Sequence, residues 1–573
     1  MIKILINNRQ YNDFELIDPN TNKNLLIENY KYLDPIKLKL FSNDYLVVND
    51  SKDEVNLQYS YIRSEAKLAG VLILENNKTY GRTNNGKRLL YRCVPDDSRL
   101  PEFLVPYDVK YSFNKKQTNK YVVFEFVSWN LKHPEGKLIL TIGDVDLIEN
   151  FFEYQLYCKS LNISINNFNK SMKNIMKSRN DKDIEDSIFN NSNYNIIDKS
   201  NEFVFSIDPE GSSDFDDALS IKINEDKTYI VTIYISNVYF WLESLSVWNS
   251  FSNRVATIYL PDYRRPMLPT ILSEQFCSLQ KGKTRFALAT EFLVNNDGLV
   301  KVNKYYNCLI KVKNNFVYQE EKLLKLKDYN LLLSLANKQD NDVLTSSDMV
   351  AYWMKQTNTH MAAEMFKKKV GIFRSVKYIE KIKKEFQENM SSDTIRVLNN
   401  WNNVTGQYLN YGDNEGIQHE IMDLKSYIHI TSPIRRIVDL LNQMIFLEKL
   451  DLIKNRSKDA SIFLENWLDK MDYINNSVRS IRKIQSECNL LSICMNDPSI
   501  LLNMHIGVVF DKIKKNDGTY NYMVYLEKLK MLCRYITPIE INNYCKKKFI
   551  LYIFHNEDKF KKKIRLQIVD NQN

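Results

Sequence analysis

The sequence lacks any apolar run long enough to cross a bilayer, and its first 20 residues hold no signal-peptide core. Both absences point to a protein that is neither secreted nor membrane-bound, with the cytoplasm as the expected compartment, or the nucleus or a viral factory for a viral protein. The eight cysteines, at positions 93, 158, 277, 308, 488, 494, 533 and 545, include no CxxC spacing and no dense framework. Reduced thiols are therefore expected, with neither structural zinc nor disulfides. A repeat of fixed period is also lacking. Strong charge of one sign is missing too: the net charge is only +9 over 573 residues, compatible with nucleic acid without requiring it. What remains is an ordinary globular composition, 44% hydrophobic and 26% charged. A chain of 573 residues exceeds a single core and suggests roughly three to five domains.

Residues 1–58 read as a mixed N-terminal segment with one evident strand in "DYLVVND". From 59 to 167, strand-like stretches ("AGVLILE", "RLLYRCV", "EFLVPY", "KYVVFEFVSW", "KLILTIG") alternate with turn-rich ones, the pattern of a small β-barrel, and the helix-like "VDLIENFFEYQLYCKSL" follows. Residues 168–200 are polar and poor in aliphatics, as expected of a linker. A central region, 201–495, starts with strands and ends in long helical patterns, and strand signals return in 496–573 beside the lysine runs 546–548 and 559–563.

Two stretches carry chemistry. "SIDPEGSSDFDDALSI" (206–221) gathers Asp208, Asp214, Asp216 and Asp217 between two strands. Extended backbone would point Asp214 and Asp216 one way and Asp217 the other. Carboxylates so crowded repel one another unless protonated or neutralised by cations, and Mg²⁺, a hard ion with oxygen ligands, meets that need. A solvated acidic loop is the alternative; an EF-hand fits poorly, since no glutamate closes a twelve-residue loop. "SYIHITSPIRRIVDLLNQ" (426–443) is the second stretch. Thr431 or Ser432 is expected to cap a helix with Pro433 in its first turn, which sets Arg435 and Arg436 at the positive end of the helix dipole. An anion at that helix start would explain them, and an Arg435–Asp439 pair on a structural helix is the plainer explanation. A metal-seeking loop and a phosphate-seeking segment together suggest a phosphate ester.

These two stretches and "IYLPDYRRPMLPTILSEQFCSLQ" (258–280), in this order and spacing, resemble the ribonuclease II / ribonuclease R family, with the eukaryotic exosome-type exoribonuclease as the nearest relation. The resemblance covers about residues 38–573. It implies an α+β multidomain chain with an RNB catalytic domain at 201–495. OB-fold β-barrels flank it, cold-shock-like over 59–167 and degenerate S1-like over 496–573, and "KLFSNDYLVV" within 1–58 is what is left of a first cold-shock-like barrel. It also implies a 3′→5′ hydrolytic exoribonuclease that degrades single-stranded RNA to nucleoside 5′-monophosphates using Mg²⁺, with Mn²⁺ as the alternative ion. Carried over by position, Asp208, Asp214, Asp216 and Asp217 hold the metal, and Asp216 and Arg435 are catalytic. Tyr259, Arg436, Arg374 and Glu487 would bind RNA. Core packing is the competing role for Tyr259, and surface ion pairing for Arg374 and Glu487. A helicase or RNA-decay complex is an open partner, and there is no room at the N-terminus for the endonuclease domain of exosome-type relatives.

The sequence departs from the family pattern at Tyr234 and Asn237, which replace a histidine and an aspartate. Ala351 or Tyr352 stands where a glutamate is expected, and Gln443 where a histidine is. Supporting residues matter to metal sites. A catalytically weak RNA-binding subunit of the same fold is therefore the second expectation. A phosphatase or DNA nuclease is disfavoured by the barrels and the motif order.

Overall fold

A computed structural model describes the chain except for residues 31–32, 50–53, 65, 84–85, 110–116, 377–389, 403–405, 414–415, 423, 516, 557–559 and 570–573. The chain forms two compact units, 1–162 with 486–505 and 548–573, and 163–485 with 506–547. It is a mixed α+β protein with several sheets and a closed five-stranded barrel.

In the first unit, β1 (Ile2–Ile6), β2 (Phe14–Ile17), β3 (Asn24–Leu25), β4 (Tyr45–Asn49) and β5 (Glu54–Tyr59) form a sheet in the order β3-β2-β1-β4-β5. Only β4 was expected. Yet "IKILI" alternates buried and half-buried residues, the period of a one-sided strand. The barrel follows: β6 (Leu68–Leu72), β7 (Leu89–Pro95), β8 (Phe103–Tyr107), β9 (Lys120–Ser128) and β10 (Glu135–Asp144), closed in the order β10-β8-β7-β6-β9. Gly70 and Gly136 allow its closure, since a Cβ on either would lie 2.9 Å from the Phe124 ring. Helix α1 (Ile148–Cys158) ends the segment where a helix was expected.

The second unit opens with a correction. Residues 168–200, expected to be a polar linker, contain most of α2 (Asn166–Ser178), then α3 (Asp181–Phe189) and β11 (Ile196–Asp198). Phe168 and Met172 lie four apart and are buried, as are Ile184 and Ile188. A narrow apolar stripe is enough to dock a helix whose other faces are polar.

The strands β12 (Val204–Asp208), β13 (Asp217–Ile223), β14 (Tyr229–Ser236), β17 (Thr284–Val294) and β18 (Val300–Val317) join β11 in a six-stranded sheet ordered β11-β18-β12-β13-β14-β17. Between β14 and β17 lie α4 (Val238–Ser244) and the two-residue strands β15 (Ile258–Tyr259) and β16 (Arg264–Arg265). Strand β18 pairs with β17 through 300–311 and with β12 through 312–317, so one strand ties both sides of the sheet. The sheet is buried on both faces. Leu219, Val231, Ile233 and Ile235 pack with Leu332 and Leu335 of α6 (Lys327–Gln339) and Met349 and Trp353 of α7 (Ser346–Lys367), after the short α5 (Glu321–Leu324). Ala218, Tyr234, Ala287, Ala289 and Cys308 form a second core cluster. Burial on both faces explains the near-continuous apolar runs of these strands, each large side chain contributing about 1.5–3 kcal/mol.

Strands β19 (Ile372–Ser375) and β20 (Gln407–Asn410) pair on either side of α8 (Ser392–Asn402), and α9 (Ile437–Lys449), α10 (Lys458–Leu468) and α11 (Met471–Asn496) follow. After α12 (Ser499–Leu502) come β21 (His505–Lys514), β22 (Tyr520–Leu526) and β23 (Met531–Thr537), an antiparallel meander, then the hairpin β24 (Lys546–Asn556) and β25 (Lys561–Ile568). Lys546, Lys547 and Lys548 are exposed, but Lys561 is buried and pairs with Asp96 at 2.7 Å. That lysine is therefore a structural ion pair rather than part of an open basic run; Lys559 lies outside the described residues. None of the eight cysteines is in a disulfide, and among the described residues no helix is long and apolar enough to cross a membrane.

Candidate active site

The sheet brings the acidic stretch together. Strand β12 ends at Asp208, β13 begins at Asp217, and the pairing of Phe205 with Leu219 holds these ends side by side while residues 209–216 loop out. Because that segment is loop and not strand, the alternation expected for Asp214, Asp216 and Asp217 does not apply. All four aspartates line one cavity of about 620 Å³.

Arg435 and Arg436 line the same cavity, but the local structure differs from the expected helix start. Helix α9 begins only at Ile437, and Arg436, with φ −138° and ψ 127°, is extended. Two contacts explain the delay. Arg436 forms a β-bridge with Ala256, and the Ser432 amide donates to Asp439 Oδ1 at 2.8 Å, a carboxylate from the helix itself. The segment 432–436 is thereby drawn against β13. The Ile434 amide donates to Asp216 Oδ1 at 2.8 Å, and Arg435 Nε donates to Asp216 Oδ2 at 3.0 Å. The pair expected between Arg435 and Asp439 is formed instead by Arg436, at 2.8 Å.

The hairpin β15–β16 supplies the next side chains. Tyr259 and Arg264 are direct cross-strand neighbours, and both reach Asp214. Arg264 Nη1 donates to Asp214 Oδ1 at 2.7 Å, and the Tyr259 hydroxyl donates to Oδ2 at 3.3 Å. Arg264 Nη2 also donates to Ser213 Oγ at 2.6 Å and to Glu274. Tyr259 is 37% exposed, which leaves ring area open to a ligand and excludes a purely core role.

Electrostatics set the aspartates apart. Burial raises Asp208 to about 6 and Asp216 to about 7, although the Arg435 guanidinium opposes the rise at both. Asp217 is pushed well above the usual carboxylate range by burial and then by the charges of Asp208 and Asp216. Burial works against the Arg435 charge, yet Asp216 and its other anionic neighbours raise its pKa above the ordinary arginine value. Asp208 Oδ2 is buried and accepts no hydrogen bond.

The donor set is all oxygen, and this orphaned carboxylate oxygen beside Asp217 fits a hard divalent cation. The four carboxylates are not a finished cage. Among the described residues no three His, Cys, Asp or Glu side chains converge on one metal position, and Arg435 and Arg264 hold Asp216 and Asp214.

Two expected RNA-binding residues stand elsewhere. Arg374 on β19 is buried, donates to the Gly406 carbonyl and lies over the Tyr408 ring at 5.1 Å; burial lowers it to about 10. It is a packed residue, not a surface ion pair. Glu487 is exposed on α11, falls in the first unit and is not among the residues lining the cavity.

The positions that depart from the family pattern are integrated. Gln443 donates to the Ser236 carbonyl at 2.8 Å and accepts from the Tyr239 amide, while the Ser236 amide donates to the Asp216 carbonyl at 2.8 Å. Asn237 caps α4 through the Phe240 amide, Tyr234 shares a 3.0 Å hydrogen bond with Ser220, Tyr352 is buried and Ala351 is exposed.

Sequence reasoning missed Arg264, Tyr318, Asn358, Tyr427 and His429, all of which line the cavity. Arg264 lies within a stretch already singled out, and only its cross-strand register with Tyr259 reveals its role.

The RNB domain family model matches residues 196–331 and 325–452. Ribonuclease R of Aquifex aeolicus is 31% identical over 128 residues, 22% of this chain and 18% of that protein. The aligned stretch thus spans under a fifth of that curated relative. Ribonuclease R of Mycoplasma genitalium, solved with ribose-methylated single-stranded RNA, superposes with a TM-score of 0.68 at 15% identity over 99% of this chain and 100% of that one. Yeast Ssd1, a pseudonuclease, matches with a TM-score of 0.59 at 14% identity over 96% of this chain and 80% of that one. DIS3-like exonuclease 2 of Xenopus tropicalis is 28% identical over 219 residues, 37% of this chain and 25% of that protein. The bacterial ribonuclease R fold is matched along nearly the whole chain. Residues 196–452 thus match the RNB domain, and the chain shares the fold of ribonuclease R.

Proposed function

We propose that the protein is a Mg²⁺-dependent 3′→5′ exoribonuclease that hydrolyses single-stranded RNA to nucleoside 5′-monophosphates. The observation that carries this reading is the meeting in one cavity of four aspartates with Arg435, Arg436 and the exposed Tyr259. Hydrolysis forms a new P–O bond from water and breaks the P–O3′ bond, and the departing 3′-oxygen takes a proton. Negative charge grows on the phosphoryl oxygens. Arg435, oriented by Asp216 and Ser432, is placed to stabilise that charge, an effect worth about 3–4 kcal/mol of barrier for a preorganised donor. Asp208 and Asp217, with oxygens of Asp214 or Asp216, would hold Mg²⁺ or Mn²⁺, which supplies Lewis-acid polarisation of the phosphate. Tyr259 offers a base-tolerant stacking face, Arg436 a neighbouring cation, and the closed barrel a further single-strand surface of cold-shock type.

A second reading, an RNA-binding subunit with negligible catalysis, is favoured by one observation: two of the four aspartates are occupied by arginines. The likeness to a pseudonuclease accords with it. The two separate on single-stranded RNA labelled at its 3′ end, incubated with Mg²⁺. The enzyme releases the label as a nucleoside 5′-monophosphate from the first time points and spares DNA of the same sequence. Binding without release assigns the subunit.

A further inference from the structure

The four aspartates of the cavity are not equivalent. Asp216 accepts from Arg435 and from a backbone amide, and both oxygens of Asp214 are engaged, Oδ1 by Arg264 and Oδ2 by Tyr259. Asp208 Oδ2 has no partner. Two guanidinium groups thus offset two of the four carboxylates. Arg264 holds Oδ1 of Asp214 at 2.7 Å.

Its guanidinium is shared. Glu274, on the π-helical turn Ile271–Phe276, accepts from the same Nη2 that donates to Ser213. The Arg264 side chain is 25% exposed and Glu274 33%, so a move from one carboxylate to the other does not require unpacking a core. The loop itself is held independently, since Ser278 Oγ donates to the Ser213 carbonyl and accepts from the Phe215 amide.

Resting on the metal-dependent reading above, we infer that Arg264 is a positioning residue that competes with divalent cations for Asp214, with Glu274 as the alternative seat for its guanidinium. Asp214 is latched by an internal cation until an external one displaces it. Removing the arginine charge then tightens cation binding, whereas loss of a merely structural arginine weakens it. Removing the Glu274 charge leaves Arg264 on Asp214 and has the opposite effect.

The test is titration of Mn²⁺ alone into the full chain, with free Mn²⁺ read by electron paramagnetic resonance, so no turnover is needed. Arg264→Met is expected to lower the Mn²⁺ dissociation constant about tenfold, Glu274→Gln to raise it severalfold, and Arg264→Lys to leave it near wild type. An unchanged or weakened constant in a folded Arg264→Met overturns the inference. Should that variant not fold, a Glu274→Gln constant equal to or below wild type does the same. Wild type that binds no Mn²⁺ would instead sink the metal-dependent function.

Discussion

The acidic loop and the arginine segment face one cavity and treat their charges in opposite ways. Arg435 and Arg436 are each matched, by Asp216 and Asp439. On the acidic side, Asp208 and Asp217 have raised pKa values, and Asp208 keeps a buried oxygen without a partner. A protein does not bury such an oxygen cheaply, since an unsatisfied buried polar atom costs about 1–3 kcal/mol, more when charged. The arginine wall also keeps unpartnered atoms, Arg436 Nε and Asp439 Oδ2, but its charges are paired. The acidic wall differs in its crowd of carboxylates with raised pKa values, which a cation would neutralise under the proposed function.

The comparison breaks most sharply at the one carboxylate that joins the walls. Asp216→Asn retains the shape but weakens the anchor of Arg435 and the acidic charge together, and is expected to lower kcat on single-stranded RNA by about 10³. Arg435→Lys keeps the charge and loses the fork that meets Asp216 and Ser432 at once; about 10² in kcat is expected, with little change in KM, from initial rates. Tyr259→Ala is expected to raise KM about tenfold by loss of one stacked base, while Tyr259→Phe stays close to wild type in KM.

The smallest effect concerns the cationic side. Burial, then the charges of Arg374 and Lys355, lower His419 to about 4 from 6.5. The folded state therefore binds fewer protons than the unfolded state over that window. The stability is fully present above 6.5 and is lost as the pH falls toward 4. After allowance for partial screening, on the order of 1 kcal/mol is expected to go by pH 5 in urea unfolding, and His419→Gln should flatten that dependence.

Much of this site was legible because its parts are short and contiguous. Asp208, Asp214, Asp216 and Asp217 fall within ten residues, and the strands on either side are plain apolar runs that a doubly buried sheet requires. The helix start was misread because Ser432 and Pro433 satisfy the local capping rules, while the carboxylate that takes the Ser432 amide is Asp439, seven residues on. Arg264 was missed for a related reason: its importance lies in register with Tyr259 and in a contact fifty residues back to Asp214, neither of which any local pattern encodes. At 168–200 composition hid two helices whose buried residues, Phe168 and Met172, then Ile184 and Ile188, are spaced four apart. Periodicity held the signal that average polarity obscured.

The most direct test of the account is the dependence of RNA turnover on Mg²⁺ after exhaustive treatment with EDTA, measured on 5′-labelled single-stranded RNA in a time-resolved gel. Wild type should be silent without the ion and recover saturably as Mg²⁺ is added, shortening the RNA stepwise from its 3′ end. Asp208→Asn should stay silent or need far more Mg²⁺. Full turnover in EDTA, or an Asp208→Asn curve that overlays wild type, would contradict the claim that the acidic wall is the seat of a catalytic cation.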